Sequence, residues 1–269
     1  MPYKMVVLDL DDTLLRHDLT ISDRTRDALL RAQREGVRVV LASGRPTGAI
    51  LRYARELEIA RHGGYIISFN GAVVTDCATE QPIFQQALPK EIIHELFDHS
   101  VEHGAQILSY VDDQIVTARA NEWADIEQKL TGMDMREAPD FKGAIQQDAI
   151  KVILLQEPSY LKQVSDKLRP LVQDRMNMVI SKPFFLEFTD KGIDKRFSLA
   201  MLCEKLEILP SEVMAIGDSY NDVGMIQFAG LGVCMANGPQ DVQAIADHVT
   251  ESNMDDGVAV ALERFVFGG

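Results

Sequence analysis

Apolar positions fall along the chain in short unbroken runs separated by polar, helix-periodic stretches. Residues 4–9 (Lys-Met-Val-Val-Leu-Asp) form a run that ends in acids, the pattern of a strand buried on both faces. Ser22 is placed to cap a helix over about residues 23–35, and Gly36 to end it. Residues 37–42 read as a second buried strand, stopped by Ser43-Gly44, and Pro46 opens a helix over about 47–58. Strand–helix–strand–helix with short links predicts a parallel sheet.

The pattern then changes. Residues 65–68 and 72–75 flank Asn70-Gly71, a hairpin signal. A helix is expected from Pro89 to about His103, strands near 105–111 and 114–118 around Asp112-Asp113, and a helix near 121–131. A strand near 149–155, a helix near 159–171 and strands near 177–181 and 184–189 follow. This order belongs to an α+β layer. From about residue 190 the parallel pattern returns, with a helix over 195–206, a strand over 213–217, a helix from Asn221, a strand over 231–235 and two closing helices. The predicted fold class is α/β. A Rossmann-like doubly wound parallel sheet forms a discontinuous core, residues 1–81 and 187–269, and an inserted α+β cap domain takes residues 82–186.

Composition narrows the function. The 269 residues are 46% hydrophobic and 25% charged, so a sizeable core needs no disulfides. Lys and Arg number 27 against 41 Asp and Glu, a net charge of −14, which argues against nucleic acid and against an anionic membrane as partners. A small phosphorylated substrate stays open, because a bound cation can mediate that contact. Cys77, Cys203 and Cys234 are far apart and odd in number, with no CxxC, so neither a disulfide framework nor a zinc ribbon is expected. Asp9, Asp11 and Asp12 stand where a signal peptide needs an apolar stretch, and no run approaches the roughly 18 to 20 residues of a membrane span. The expected compartment is the cytoplasm. Nothing in the sequence specifies an oligomeric state.

Asp9-Leu10-Asp11-Asp12-Thr13 sits at the carboxyl end of the first strand, where open α/β sheets place ligands. Alternation along an extended chain sends Asp9 and Asp11 to one side. Carboxylates this close repel unless a cation neutralises them, and hard oxygen donors point to Mg²⁺. Gly217-Asp218-Ser219-Tyr220-Asn221-Asp222 also follows a buried strand. Ser43-Gly44-Arg45 ends the second strand with a hydroxyl and backbone N–H groups suited to a phosphate oxygen. Lys195 opens the helix that resumes the core, where its charge can balance carboxylates and phosphoryl oxygens. Taken singly, these are an acidic turn, two helix caps and a surface lysine. Parallel strands place their carboxyl ends on one edge, which favours a single site.

In this order, Asp9-x-Asp11-x-Thr13, Ser43, Lys195 and Gly217-Asp218-x-x-Asn221-Asp222 resemble the four motifs of the haloacid dehalogenase (HAD) superfamily. Ser68-Phe69-Asn70-Gly71-Ala72, Lys195-Arg196-Phe197-Ser198-Leu199 and the segment from Ala246 to Ala259 are similar to its Cof-type phosphatase branch, which carries a large α/β cap. Arg196 and Ser198 replace a usual Gly and Ala, and Asp12 stands where Gly is common. The resemblance implies a phosphatase acting on small phosphorylated metabolites, sugar phosphates by default. Asp9 would be the nucleophile and Asp11 the general acid and base. Mg²⁺ would be held by Asp9, the backbone carbonyl of Asp11 and Asp218. Leu10 N–H, Ser43, Gly44, Lys195 and Asn221 would contact the phosphate, with Thr13 and Asp222 shaping the site. A phosphosugar mutase and a non-catalytic phosphometabolite sensor are the alternatives. A signalling receiver domain fits poorly, since its nucleophile ends the third strand of a chain about half as long.

Other features read as structure. His94, His99 and His103 share one helix, and with no further ligand evident they are expected to form a solvated face. Trp123 is expected in the core of the inserted domain.

Overall fold

Four consecutive apolar residues make β1 (Met5–Leu8), and all four are buried. The structure, a computed structural model, describes residues 3–112 and 114–268, so Asp113 of the expected Asp112-Asp113 turn lies outside the described residues. After β1 an irregular loop leads to α1 (Asp23–Arg34), where Ser22 Oγ accepts the Thr25 N–H at 3.1 Å and caps the helix. β2 (Arg38–Ala42) and α2 (Thr47–Glu56) complete a second strand–helix unit. β3 (Tyr65–Ser68) and β4 (Val73–Asp76) pair antiparallel, and β5 (Gln81–Gln85) extends the sheet.

The inserted segment runs α3 (Lys90–Glu102), β6 (Gln106–Val111), β7 (Gln114–Thr117), α4 (Glu122–Thr131), β8 (Met135–Glu137), α5 (Phe141–Ala144), β9 (Val152–Leu155), α6 (Pro158–Val172), β10 (Met176–Lys182) and β11 (Phe185–Asp190). The chain then continues with α7 (Lys195–Leu206), β12 (Val213–Gly217), α8 (Val223–Phe228), β13 (Leu231–Cys234), α9 (Gln240–Gln243), β14 (His248–Val249) and α10 (Gly257–Phe265).

Two sheets result. The first has the order β14-β13-β12-β1-β2-β3-β4-β5, with β1 parallel to both β2 and β12. Leu8, the last residue of β1, pairs with Leu41 and Ile216, so three strands end at one edge. Helices cover both faces. Val6, Leu8, Leu41 and Ile216 pack with Leu29, Ile50 and Leu262, while Met5, Val7, Val40 and Ala215 pack with Leu199, Leu202 and Met225. Fully burying one such side chain contributes roughly 1.5–3 kcal/mol. The second sheet, β10-β11-β9-β6-β7-β8, packs Ile107, Val152, Leu154, Leu186 and Phe188 against Ile93, Leu96, Leu161 and Leu168 of α3 and α6.

The chain divides into two compact units, Met1–Phe84 with Asp194–Gly269, and Gln85–Ile193. These limits differ from the sequence reading over residues 82–84 and 187–193. Glu187 and Phe188 belong to β11, opposite Ile153 and Val152 of β9 in an antiparallel ladder, which ties them to the second sheet. Trp123 is only partly buried, because it lies in the first turn of α4, whose buried positions are Ala124 and Glu127. Among the described residues no helix is long and apolar enough to cross a membrane.

Candidate active site

The site begins where β1 stops. The Asp9 N–H donates to the Ile216 carbonyl of β12 at 2.9 Å, fixing Asp9 between two strand ends with 6% of its surface exposed. The chain then curls. Asp11 is extended and Asp12 takes a left-handed backbone with φ of 57°, a conformation Gly adopts freely and Asp tolerates better than most residues. The loop closes through the Leu15 N–H donating to the Leu10 carbonyl at 2.8 Å, with the Leu10 side chain buried beneath. Thr13 Oγ1 donates to Asp218 Oδ1 at 2.9 Å and so ties the loop after β1 to the loop after β12.

Lys195, the first residue of α7, is a fully buried lysine. Its Nζ donates to Asp9 Oδ1 and, at 2.7 Å, to Asp222 Oδ1. The second oxygen of Asp222 accepts the N–H groups of Asp218 and Ser219, each at 3.0 Å. This approach requires glycine at position 217, where a Cβ would stand 2.5 Å from Asp222 Cβ. Lys191 is placed elsewhere, its Nζ donating to the Asp174 carbonyl at 3.0 Å. Ser198, where the family resemblance has Ala, donates to the Gly71 carbonyl at 2.5 Å, and so uses its hydroxyl to tie α7 to the β3–β4 loop.

Asp9, Asp218 and Asp222 each offer an oxygen within 4.8 Å of the others. Burial raises the Asp9 carboxyl well above the usual range, and the Asp222 charge adds to this against the counter-effect of Lys195. Burial, followed by Asp222, pushes Asp218 up to about 6. For Lys195 burial acts to lower the pKa, but Asp222 and Asp9 outweigh it and hold the ammonium charged. Three carboxylates thus face one ammonium. Asp222 spends both oxygens on Lys195 and the backbone, whereas Asp9 and Asp218 each keep an oxygen outside these bonds. Such a hard-oxygen donor set fits a divalent cation.

Ser43 and Gly44, two of the residues expected to contact a phosphate, follow β2. Ser43, 2% exposed at the end of β2, accepts the Arg45 N–H on Oγ at 3.1 Å. The β3–β4 loop docks on this turn, with the Asn70 N–H donating to the Ser43 carbonyl and the Phe69 N–H to the Arg45 carbonyl, both at 3.0 Å. Gly44 passes close to Asn70, whose Oδ1 accepts from Asn221 Nδ2 at 3.1 Å.

Asp11 does not join the acidic cluster, contrary to simple alternation, because the strand ends at Leu8 and the chain curls before it. Its half-exposed carboxylate accepts two bonds from Arg45, Nε to Oδ2 at 2.8 Å and Nη2 to Oδ1 at 2.5 Å. Arg45 is the neighbour of Asp11 that residue reasoning missed. Its only signal was its place as the third residue of Ser43-Gly44-Arg45.

Comparison with known proteins identifies the family. The family model for haloacid dehalogenase-like hydrolases matches residues 6–262. A crystal structure of a haloacid dehalogenase-like hydrolase from Bacteroides thetaiotaomicron is 39% identical, covers 97% of this chain and 99% of its own, and superposes with a TM-score of 0.92. The 5-amino-6-(5-phospho-D-ribitylamino)uracil phosphatase of Bacillus subtilis is 30% identical over 264 residues, 98% of this chain and 96% of its own length. The structure of the HAD subclass IIB sugar phosphatase BT4131 has a TM-score of 0.81 at 25% identity, covering 98% of this chain and 99% of its own. With the family model spanning nearly the whole chain and both relatives of named activity being phosphatases, the chain belongs to the haloacid dehalogenase-like hydrolase family.

Proposed function

We propose that the protein hydrolyses small phosphomonoesters, sugar and other polyol phosphates first among them, through an aspartyl phosphate formed on Asp9. The observation that carries this reading is a buried carboxylate at a strand end, paired with a buried lysine, beside a second acid held apart on an arginine. An oxygen of Asp9 attacks phosphorus while the P–O bond to the leaving alcohol breaks, and Asp11 delivers the proton that alcohol needs. Asp11 then takes a proton from water as that water attacks the acyl phosphate, which frees Asp9 and inorganic phosphate. Splitting the reaction in this way replaces one difficult step with two easier ones.

Lys195 offsets charge on Asp9 and on the phosphoryl oxygens. Ser43 Oγ and the N–H groups of Leu10 and Gly44 donate to those oxygens, and Asn221 orients the phosphate beside Asn70. Thr13 holds the loop through Asp218, and Asp222 positions Lys195. Asp9, Asp218 and the backbone carbonyl of Asp11 would hold Mg²⁺, which when bound neutralises the carboxylates and polarises the phosphoryl group. Arg45 positions Asp11.

The substrate class rests on two relatives, one named for a phosphoribityl compound and one as a sugar phosphatase. The inserted unit is read as the cap. Three buried free cysteines, their thiols pushed up to about 12, 11 and 11 by burial, agree with the reducing cytoplasm. A panel of phosphorylated metabolites, scored by kcat/KM with and without EDTA, tests the reading. Turnover of sugar phosphates that EDTA abolishes is expected. Turnover indifferent to EDTA, or none on any phosphomonoester, overturns it.

A further inference from the structure

The last turn of α3 and its C-terminal cap bring together groups that the sequence reading left as a solvated face. His99 and His103 are four residues apart, and the His103 N–H still donates to the His99 carbonyl at 3.0 Å, so both lie on one side of a continuing helical turn. Their rings are 10° from parallel, with centroids 6.4 Å apart. Between them in sequence, Glu102 turns to the same side, and its Oε2 lies 3.5 Å from His99 Nδ1. One ligand atom from each of the three lies within 4.8 Å of the other two.

The surroundings orient this set. On its other edge His99 faces Glu95, whose Oε1 is 3.9 Å from Nε2. Glu95 is itself held by Arg175 through two bonds of 2.8 Å, which keep its carboxyl below the usual range. Carboxylates therefore stand beside both ring nitrogens, and a cation at Nδ1 would leave an Nε2 proton facing Glu95. Asp98 pairs with Lys142 at 2.6 Å, and the third histidine, His94, is hydrogen-bonded to the Ile145 carbonyl at 2.8 Å.

We propose that His99, Glu102 and His103 form a binding site for a transition-metal dication of the zinc class, with solvent as the remaining ligand. Two imidazoles and one carboxylate suit Zn²⁺, Ni²⁺ or Cu²⁺, whereas the all-carboxylate cluster at Asp9 suits a harder ion. Ligands of a tetrahedral zinc lie about 3.4 Å from one another at bond lengths of ~2.1 Å. The present spacing therefore closes onto an ion by side-chain rotation alone, and Glu102, with 66% of its side chain exposed, is free to rotate.

The test uses the full chain in excess Mg²⁺, titrated with Zn²⁺ against a chromophoric chelator. One zinc per chain is expected. His99→Gln and His103→Ala should each weaken it by at least about tenfold, and Glu95→Gln, which leaves all three donors in place, by about tenfold. Asp218→Asn should leave it unchanged. Turnover of p-nitrophenyl phosphate in Mg²⁺ should be unaltered in His103→Ala, which checks that the variant folds. A second readout needs no variant: of the six histidines, Zn²⁺ should shift the ring proton resonances of His99 and His103. The proposal fails if the wild-type chain takes up no zinc under Mg²⁺, if the variant carrying both His99→Gln and His103→Ala binds it as well as wild type, if Asp218→Asn abolishes it, or if other histidines shift instead.

Discussion

Lys195 in the first unit and Lys151 in the second are both buried lysines facing carboxylates, yet their surroundings differ. Lys151 Nζ lies 3.3 Å from Glu187 Oε2, with 4% and 10% of these side chains exposed. Ser181 Oγ donates to the other Glu187 oxygen at 2.7 Å, and nearby the Tyr110 hydroxyl donates to Glu127. Burial, reinforced by Glu127, raises the Tyr110 pKa well above its usual value, so this hydroxyl stays a donor. Among the described residues Lys151 pairs with Glu187, and the other acid, Glu127, accepts from a neutral donor. Around Lys195 three carboxylates share a single cation, and two of them sit above their ordinary pKa. Both clusters bear the desolvation of charge, but among the described residues the one at the strand ends carries the larger surplus, three carboxylates to one ammonium against two to one. A buried cluster that satisfies itself belongs to the fold, and one that does not is built for something that arrives.

The largest effect should come from Asp9→Asn. Loss of the nucleophile is expected to lower kcat on p-nitrophenyl phosphate by at least about 10⁴-fold, with the fold intact by circular dichroism. An active Asp9→Asn enzyme would remove the chemical half of the contrast.

Next are the two lysines. Lys195→Met and Lys151→Met each leave a buried carboxylate without its partner and should cost about 3–5 kcal/mol in urea unfolding. Replacing both members of the second pair, Lys151→Met with Glu187→Leu, should bring stability back to near wild type and keep turnover of p-nitrophenyl phosphate. The equivalent double change at Lys195 and Asp222 should abolish turnover whatever its stability. If the two double variants behave alike, the distinction between structural and functional charge is wrong.

Arg45→Ala should reduce kcat by about tenfold with little change in KM, because it loosens the positioning of Asp11 without removing a proton donor. Unaltered kcat would show that the Arg45–Asp11 pair has no part in turnover.

The smallest effect concerns the metal-free protein. A carboxyl raised to about 6 binds its proton more tightly in the folded chain than in the unfolded one. Stability from this group is therefore greatest at low pH and falls as pH rises from about 4 to about 6. In EDTA at pH 7, Asp218→Asn should then raise stability by about 1 kcal/mol, after allowance for partial exposure, and Mg²⁺ should raise the Tm of the wild type but not of the variant. A variant that is less stable than wild type in EDTA would mean that the Thr13 bond to Asp218 outweighs the repulsion.

Much of the architecture was legible in the sequence because long elements carry their own periodicity. The runs that became β1, β2 and β12 are apolar apart from Arg38 at the start of β2, as strands buried on both faces must be, and each is followed by the polar residues that line the sheet edge. The strands β5, β8 and β14 and the short helix α5 were not expected. β5 carries Pro82 and lies exposed at the sheet edge, β8 has three residues and β14 two, so pairing with a neighbour and not local pattern makes them strands. At the site, Asp9, Asp218, Asp222 and Lys195 were legible as residue types at strand ends. The bond from Arg45 to Asp11 was not, since it depends on how the chain curls after Leu8. Glu102 was likewise not singled out, although it stands beside a histidine it can join in holding a metal.

The sequence by itself determined the order of elements, the doubly wound class and the four acidic, hydroxyl and lysine motifs, because hydrophobic period and strand-end chemistry are local properties. Only the tertiary structure decided that one ammonium would serve two carboxylates, that glycine at 217 would let Asp222 reach the backbone of the next turn, and that Asp11 would rest on Arg45. These depend on distances between residues up to 186 positions apart in the chain, which only packing sets.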